Sequence, residues 1–182
     1  MWQQQLRRIN KSIHNYFSNY ELKLKLRLAL LLVMTGLIFL DFSLKIIALK
    51  FLPSGQEVNF LPGFIQLQLV FNEAAAFNIG SNHPGLILGL QLAVSLLVLI
   101  LFFFIDETCY LIGLSLILAG AIGNILDRFA NITRPRTVVD YLSWVLFPPY
   151  SIFNFADVLV VSGTITIITS LGVSFLVSFK EK

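Results

Sequence analysis

The chain has 182 residues, 57% of them hydrophobic and only 13% charged, with a formal net charge of +3. Soluble domains carry roughly 25% charged residues, so this composition excludes an ordinary water-soluble domain and places the chain in the membrane class. One cysteine, Cys109, excludes an intramolecular disulfide and a multi-cysteine metal site, and two scattered histidines, His14 and His83, argue against zinc. Chemistry must then come from carboxylates, amides and hydroxyls, with no metal, no cofactor and no nucleic-acid partner expected.

Residues 1–27 are polar and basic and read as a cytoplasmic tail or a surface helix. Residues 28–49 follow as a first hydrophobic span, too long for the apolar core of a signal peptide. Asp41 and Lys45 stand four apart on one face near its far end, a spacing that suits an intrahelical ion pair acting as a structural anchor. Residues 50–85 are rich in turn formers, but Ile65-Gln66-Leu67-Gln68-Leu69 alternates with the period of a half-buried strand. A small sheet outside the bilayer is expected here. Within it, Asn72 is either a turn residue or a polar contact to substrate.

Residues 86–105 are an uncharged run of twenty, enough to cross a hydrocarbon core of roughly 30 Å. Asp106 and Glu107 end it, and a third span over about 108–127 makes an antiparallel hairpin. Gly113, Gly120, Asn124 and Asp127 recur along one stripe of that span, where small residues allow close helix approach. Arg128 follows. Residues 129–155 form a second loop with interfacial aromatics and prolines, and residues 157–179 are the fourth span. The fold expected is an all-α polytopic membrane protein in one domain, residues 28–179, with an extramembrane β cradle at about 50–80. Six basic residues before the first span set both termini in the cytoplasm.

Ionisable groups in so apolar a chain mark function by default. Two carboxylates in a poorly solvated site share a proton, so one serves as base toward water and the other as acid toward a peptide bond. Asp140, in the second loop, and Asp157, opening the fourth span, are candidates for such a pair. Asp127 has Arg128 beside it and is assigned a structural charge partnership. Spacing alone leaves Asp140 open as a turn residue. A small transporter using Asp41, Asp127 and Asp157 would spread carboxylates through the bilayer depth, whereas here they gather near one face.

Four ordered segments resemble the lipoprotein signal peptidase (signal peptidase II) family over about residues 28–178. They are Leu40-Asp41-Phe42-Ser43-Leu44-Lys45, Asn72-Glu73-Ala74-Ala75-Ala76-Phe77, Gly120-Ala121-Ile122-Gly123-Asn124-Ile125-Leu126-Asp127-Arg128, and Val138-Val139-Asp140 followed by Phe153-Asn154-Phe155-Ala156-Asp157. The resemblance implies that Asp140 and Asp157 are an aspartic dyad, with Asn72, Asn124, Arg128 and Asn154 lining the site. It also implies an interfacial helix after Asp140 and an active site at the outer face of the bacterial inner membrane. The expected substrates are diacylglyceryl-modified prolipoproteins, cut before the lipidated cysteine. Membrane lipids and globomycin-type inhibitors are the other implied partners, and a monomer is expected. Ala74, Ala119 and Arg136 stand where the family has glycines, so the alternative is a homologue that binds lipoproteins or assists another membrane complex without cleaving. Trp144, Pro148, Pro149 and Tyr150 suggest, by position, a flap over the site.

Overall fold

A computed structural model describes residues 2–53, 55–73, 83–130, 134, 136–146 and 151–180, with residues 2–20, 84 and 180 described by backbone alone. Eight elements follow in order: α1 (Trp2–Phe51), β1 (Glu57–Leu61), β2 (Ile65–Asn72), α2 (Pro84–Phe104), α3 (Thr108–Ala130), β3 (Val138–Trp144), β4 (Ile152–Phe153) and α4 (Phe155–Lys180). Four stretches are long and apolar enough to cross a membrane: Glu21–Phe51, Gly85–Phe104, Thr108–Ala130 and Phe155–Phe179. The expected β cradle and four spans are present. The first helix, however, begins far earlier than residue 28: the stretch Trp2–Phe51 holds no proline to interrupt it, and its one glycine, Gly36, is carried within the helix.

Half of the apolar window of α3 is buried, against 11% in α2 and α4, so α3 is the helix the others pack around. Its small residues make this possible. A Cβ placed on Gly163 of α4 would lie 2.5 Å from the Gly113 carbonyl, and one on Gly120 would collide with the Ala156 carbonyl. The two backbones therefore touch, as small-residue stripes permit in lipid, where apolar burial alone gives little drive between helices. Met34, Phe102, Leu111, Leu114, Leu118, Ala119 and Leu159 fill the interior. At the end away from the sheet, Arg27 donates to the Ile105 carbonyl (2.9 Å) and the Phe103 carbonyl (3.2 Å), satisfying acceptors that the end of α2 leaves open. Lys23 and Arg27 pair with Asp106 at 2.6 and 2.9 Å, holding its carboxyl below the usual range.

At the opposite end the four strands form one antiparallel sheet in chain order. Half of it comes from the loop after α3, which was expected to hold an interfacial helix. Among the described residues no helix lies between Asp140 and the start of α4 at Phe155. Val138–Trp144 instead forms a strand rich in β-branched and aromatic residues, paired with β2 along its length and with β4 at Leu142 and Ser143. Pro148, Pro149, Tyr150 and Ala74 lie outside the described residues, so of the suggested flap only Trp144 is placed, as the last residue of β3.

The contact between α3 and α4 gives a direct test. Gly120→Ala forces the α4 backbone away and is expected to cost about 1–3 kcal/mol, read as a lower thermal denaturation temperature in detergent. Gly172→Ala, whose new methyl meets nothing within 4 Å, is expected not to lower that temperature.

Candidate active site

The site is built where the sheet meets the ends of α1, α3 and α4. Lys45 and Asp41 are 2% and 1% exposed, so this ion pair is wholly withdrawn from water. The ammonium donates to Asn124 Oδ1 at 3.1 Å and lies 2.8 Å from Asp41 Oδ2 and 3.0 Å from Asp127 Oδ2. The contact with Asp41 Oδ2 is short but off the hydrogen-bond direction. A buried cation needs such company, because an ion stripped of water without partners costs several kcal/mol.

Each acid of this cluster also grips a backbone amide. Asp41 Oδ1 accepts from the Ala156 N–H at 2.9 Å, and Asp127 Oδ2 from the Val139 N–H at 3.0 Å. Ala156 precedes Asp157, and Val139 precedes Asp140. The cluster thus fixes the chain one residue ahead of both candidate carboxyls.

Asn154 then links the two. It stands just before α4, its Oδ1 accepting the Asp157 N–H (3.0 Å) while its own N–H donates to Asp157 Oδ2 (3.1 Å). This is the reciprocal arrangement of a capping box, here with Asn and Asp in place of the usual Ser and Glu. The Asn154 amide nitrogen donates to Asp140 Oδ1 (2.7 Å) and Asn124 Oδ1 (3.1 Å). Lys45 can only donate, so the Asn124 oxygen must face it, which turns the Asn124 nitrogen to Asp157 Oδ1 at 2.8 Å. Asn72 donates to Asp140 Oδ2 at 2.9 Å from the neighbouring strand. The β2–β3 register, with Val70 opposite Asp140 and Asn72 opposite Val138, makes that contact a diagonal on one face.

Asp140 is buried, whereas Asp157 is half-buried. Burial first, and the Asp157 carboxyl second, push the Asp140 pKa up to about 7, although Asn72, Asn154 and Lys45 pull the other way. Tyr141 is buried beside the Phe155 backbone, and burial pushes its hydroxyl up to about 12. Arg128, also buried, donates to Gln91 Oε1 at 3.0 Å and to the Asn124 carbonyl at 3.4 Å.

The family described as Signal peptidase (SPase) II matches residues 33–173. A lipoprotein signal peptidase of Clostridium tetani is 34% identical over 144 residues, which cover 76% of this chain and 88% of that protein. One from Mycobacterium avium is 34% identical over 145 residues, 78% of each chain. Among solved structures, a bacterial membrane enzyme superposes with a TM-score of 0.70 at 25% identity, covering 79% of this chain and 87% of its own. The chain belongs to the signal peptidase II family. It is accordingly a multi-pass bacterial membrane protein, and its family acts in signal-peptide cleavage.

In this signal peptidase II chain the structure brings together Asn72, Asn124, Asp140, Asn154 and Asp157, with Asp41, Lys45 and Asp127 directly beneath. Two readings of the sequence change. Asp127 forms its ion pair with Lys45 of α1, not through its neighbour in sequence, because a side chain late in α3 faces α1 across the bundle. Asp140 lies in a strand rather than a loop, held by the pairing of β3 with β2. Gln91 was missed, yet a lone amide inside an uncharged run of twenty is itself a signal. It bridges Arg128 and the Ala121 carbonyl. Arg136 has φ +68°, a conformation glycine adopts freely and other residues do not, which explains why relatives would carry glycine there.

Lys45→Met tests the cluster. It leaves Asp41 and Asp127 buried without their cation, and a loss of about 3–5 kcal/mol in stability is expected, read by thermal unfolding in detergent.

Proposed function

We propose that the chain is an aspartic endopeptidase in which Asp140 and Asp157 cleave diacylglyceryl-modified prolipoproteins before the lipidated cysteine. The observation that carries this reading is the position of Asn154. Its side-chain amide holds Asp140 at 2.7 Å and its backbone N–H holds Asp157 at 3.1 Å, so one residue sets the relation of the two carboxyls.

The chemistry follows from the difference between them. Asp140 is the more deeply buried and, with its pKa raised to about 7, still carries a proton in a substantial share of molecules at neutral pH. Asp157 lies in the first turn of α4, where the helix dipole favours negative charge. Asp157 therefore takes a proton from water as the oxygen attacks the scissile carbonyl, and Asp140 gives its proton to the carbonyl oxygen. Collapse of the tetrahedral species breaks the C–N bond as Asp157 passes the proton it took from water to the departing amine of the cysteine, while Asp140 recovers a proton from one hydroxyl of the diol, restoring both carboxyls. Asn72 and Asn154 hold Asp140, Asn124 holds Asp157, and Arg128 anchors the end of α3 beside them.

The membrane supplies the rest of the context. With basic residues concentrated before the first span, both termini face the cytoplasm and the sheet end of the bundle faces outward. A lipidated cysteine anchored in the outer leaflet then reaches the carboxyls at the depth where α4 begins. Globomycin-type cyclic peptides are expected to block the same space, and the enzyme is expected to act as a monomer.

Purified protein in detergent should cut a diacylglyceryl-modified prolipoprotein, read as a gel shift. Asp140→Asn and Asp157→Asn, each checked for folding, should each lose roughly 10²–10⁴-fold in rate. A folded wild type that cuts none of several lipobox sequences supports the non-cleaving homologue instead.

The pH dependence has a definite sign. Raising pH removes the Asp140 proton and leaves two anions with no acid, so activity falls through about pH 7. Stability moves the same way, because the folded chain keeps a proton that the unfolded chain releases near pH 4. The contribution is fully present below about pH 4 and lost as pH rises through about 7. Asn72→Leu removes a donor that favours the Asp140 anion, so its alkaline limb should move to higher pH than in wild type. An unmoved limb would show that Asp140 is not the acid.

A further inference from the structure

The first part of α1 is not used by any of this. The family match begins at residue 33 and the first apolar span at Glu21, yet the helix starts at Trp2. Nineteen helical residues thus precede the span, roughly 28 Å at 1.5 Å per residue.

Their sequence is strongly segregated. Trp2, Leu6, Ile9, Ile13, Phe17 and Tyr20 recur at steps of three and four, which places them within roughly 80° of the helix circumference. Arg7, Arg8 and Lys11 fall on the opposite half, and no acid occurs before Glu21. The pattern ends abruptly. Leu22 falls on the basic side, and from there leucines alternate with Lys23, Lys25 and Arg27. Lys23 and Arg27 pair with Asp106 at the α2–α3 turn, so residues before Glu21 extend past that level, beyond the end of the bundle away from the sheet.

A helix of this kind, continued straight along the bundle axis, would carry a tryptophan, a phenylalanine and three branched aliphatics into water. An apolar arc backed by cations and free of acids is complementary to one surface in particular, the anionic face of the membrane the chain already occupies. We propose that on a bilayer residues 2–20, here continuous with the rest of α1, bend off the axis near Glu21, where the amphipathic pattern ends, and lie on anionic phospholipid, with the aromatic arc at the acyl boundary and the cations among phosphates. Three cations at the surface favour the bound position by on the order of a hundredfold over a neutral bilayer. The inference does not depend on the peptidase reading.

The full chain carrying Trp144→Phe has Trp2 as its sole tryptophan. It would be placed in nanodiscs of phosphatidylcholine, alone or with phosphatidylglycerol at about the anionic content of an inner leaflet. The expected result is blue-shifted Trp2 emission and quenching by a shallow doxyl lipid in the anionic discs, both reversed by high salt and by combined Arg7→Gln, Arg8→Gln and Lys11→Gln. Trypsin cleavage of the otherwise unaltered chain after Arg7, Arg8 and Lys11 should slow in anionic discs, a readout that leaves Trp144 in place. Water-like emission with equal iodide access in both lipids overturns the proposal. So does a blue shift that is the same in neutral discs and survives the charge substitutions, which points to a protein partner or a second copy.

Discussion

A single buried ammonium organises the working end of this molecule. Lys45 cannot be hydrated where it lies, so the fold must bring oxygen to it, and the oxygens come from Asp41 on α1 and from Asn124 and Asp127 on α3. Those partners are in turn committed elsewhere. Asp41 holds the Ala156 amide, Asp127 the Val139 amide, and Asn124 the Asp157 carboxyl. One charge therefore ties α1, α3, α4 and β3 together, and the positions of Asp140 and Asp157 follow from meeting its needs.

The start of α4 obeys the same economy. A helix begins with amides that have no partner within the helix, and in an apolar setting each must find one. Here Asp41 and Asn154 accept two of them, at Ala156 and Asp157. Capping the helix and orienting Asp157 are thus one arrangement, made by the same atoms. The fit of α4 against α3 at Gly113, Gly120 and Gly163 sets the height at which this happens, so helix packing and site geometry cannot be varied separately.

Much of this was legible in the sequence, and what was not has physical causes. The four spans follow from long hydrophobic runs, and the β1–β2 half of the sheet from alternation around Gln66 and Gln68 and from turn formers, with Gly63 at φ +79°. The family resemblance rested on four ordered segments. The β3–β4 half was not readable, because β3 becomes a strand only by pairing with β2, some seventy residues earlier, and local pattern carries no record of such a partner. For the same reason Asp127 was linked to the arginine beside it and not to Lys45, which is distant in sequence. Arg136 and Ala119 separate in the structure. The first sits at positive φ, where a side chain carries a backbone cost, whereas the second is fully buried in the helix core and simply fills space.

The two ends of the bundle use charge in opposite ways. At the α2–α3 turn, Lys23 and Asp106 are about half exposed, so their pairing is screened and weak, enough to tie a turn and no more. At the sheet end, four acids (Asp41, Asp127, Asp140 and Asp157) share a small poorly solvated volume with two cations, Lys45 and Arg128. With every carboxyl ionised that volume carries an excess of two negative charges, and one shared proton halves it. Low dielectric makes the second charge costly, so the fold favours a proton on the buried Asp140. The proton on Asp140 is held by the same desolvation that makes the site expensive to build, and the buried Lys45, paired with Asp41 and Asp127, offsets part of that cost.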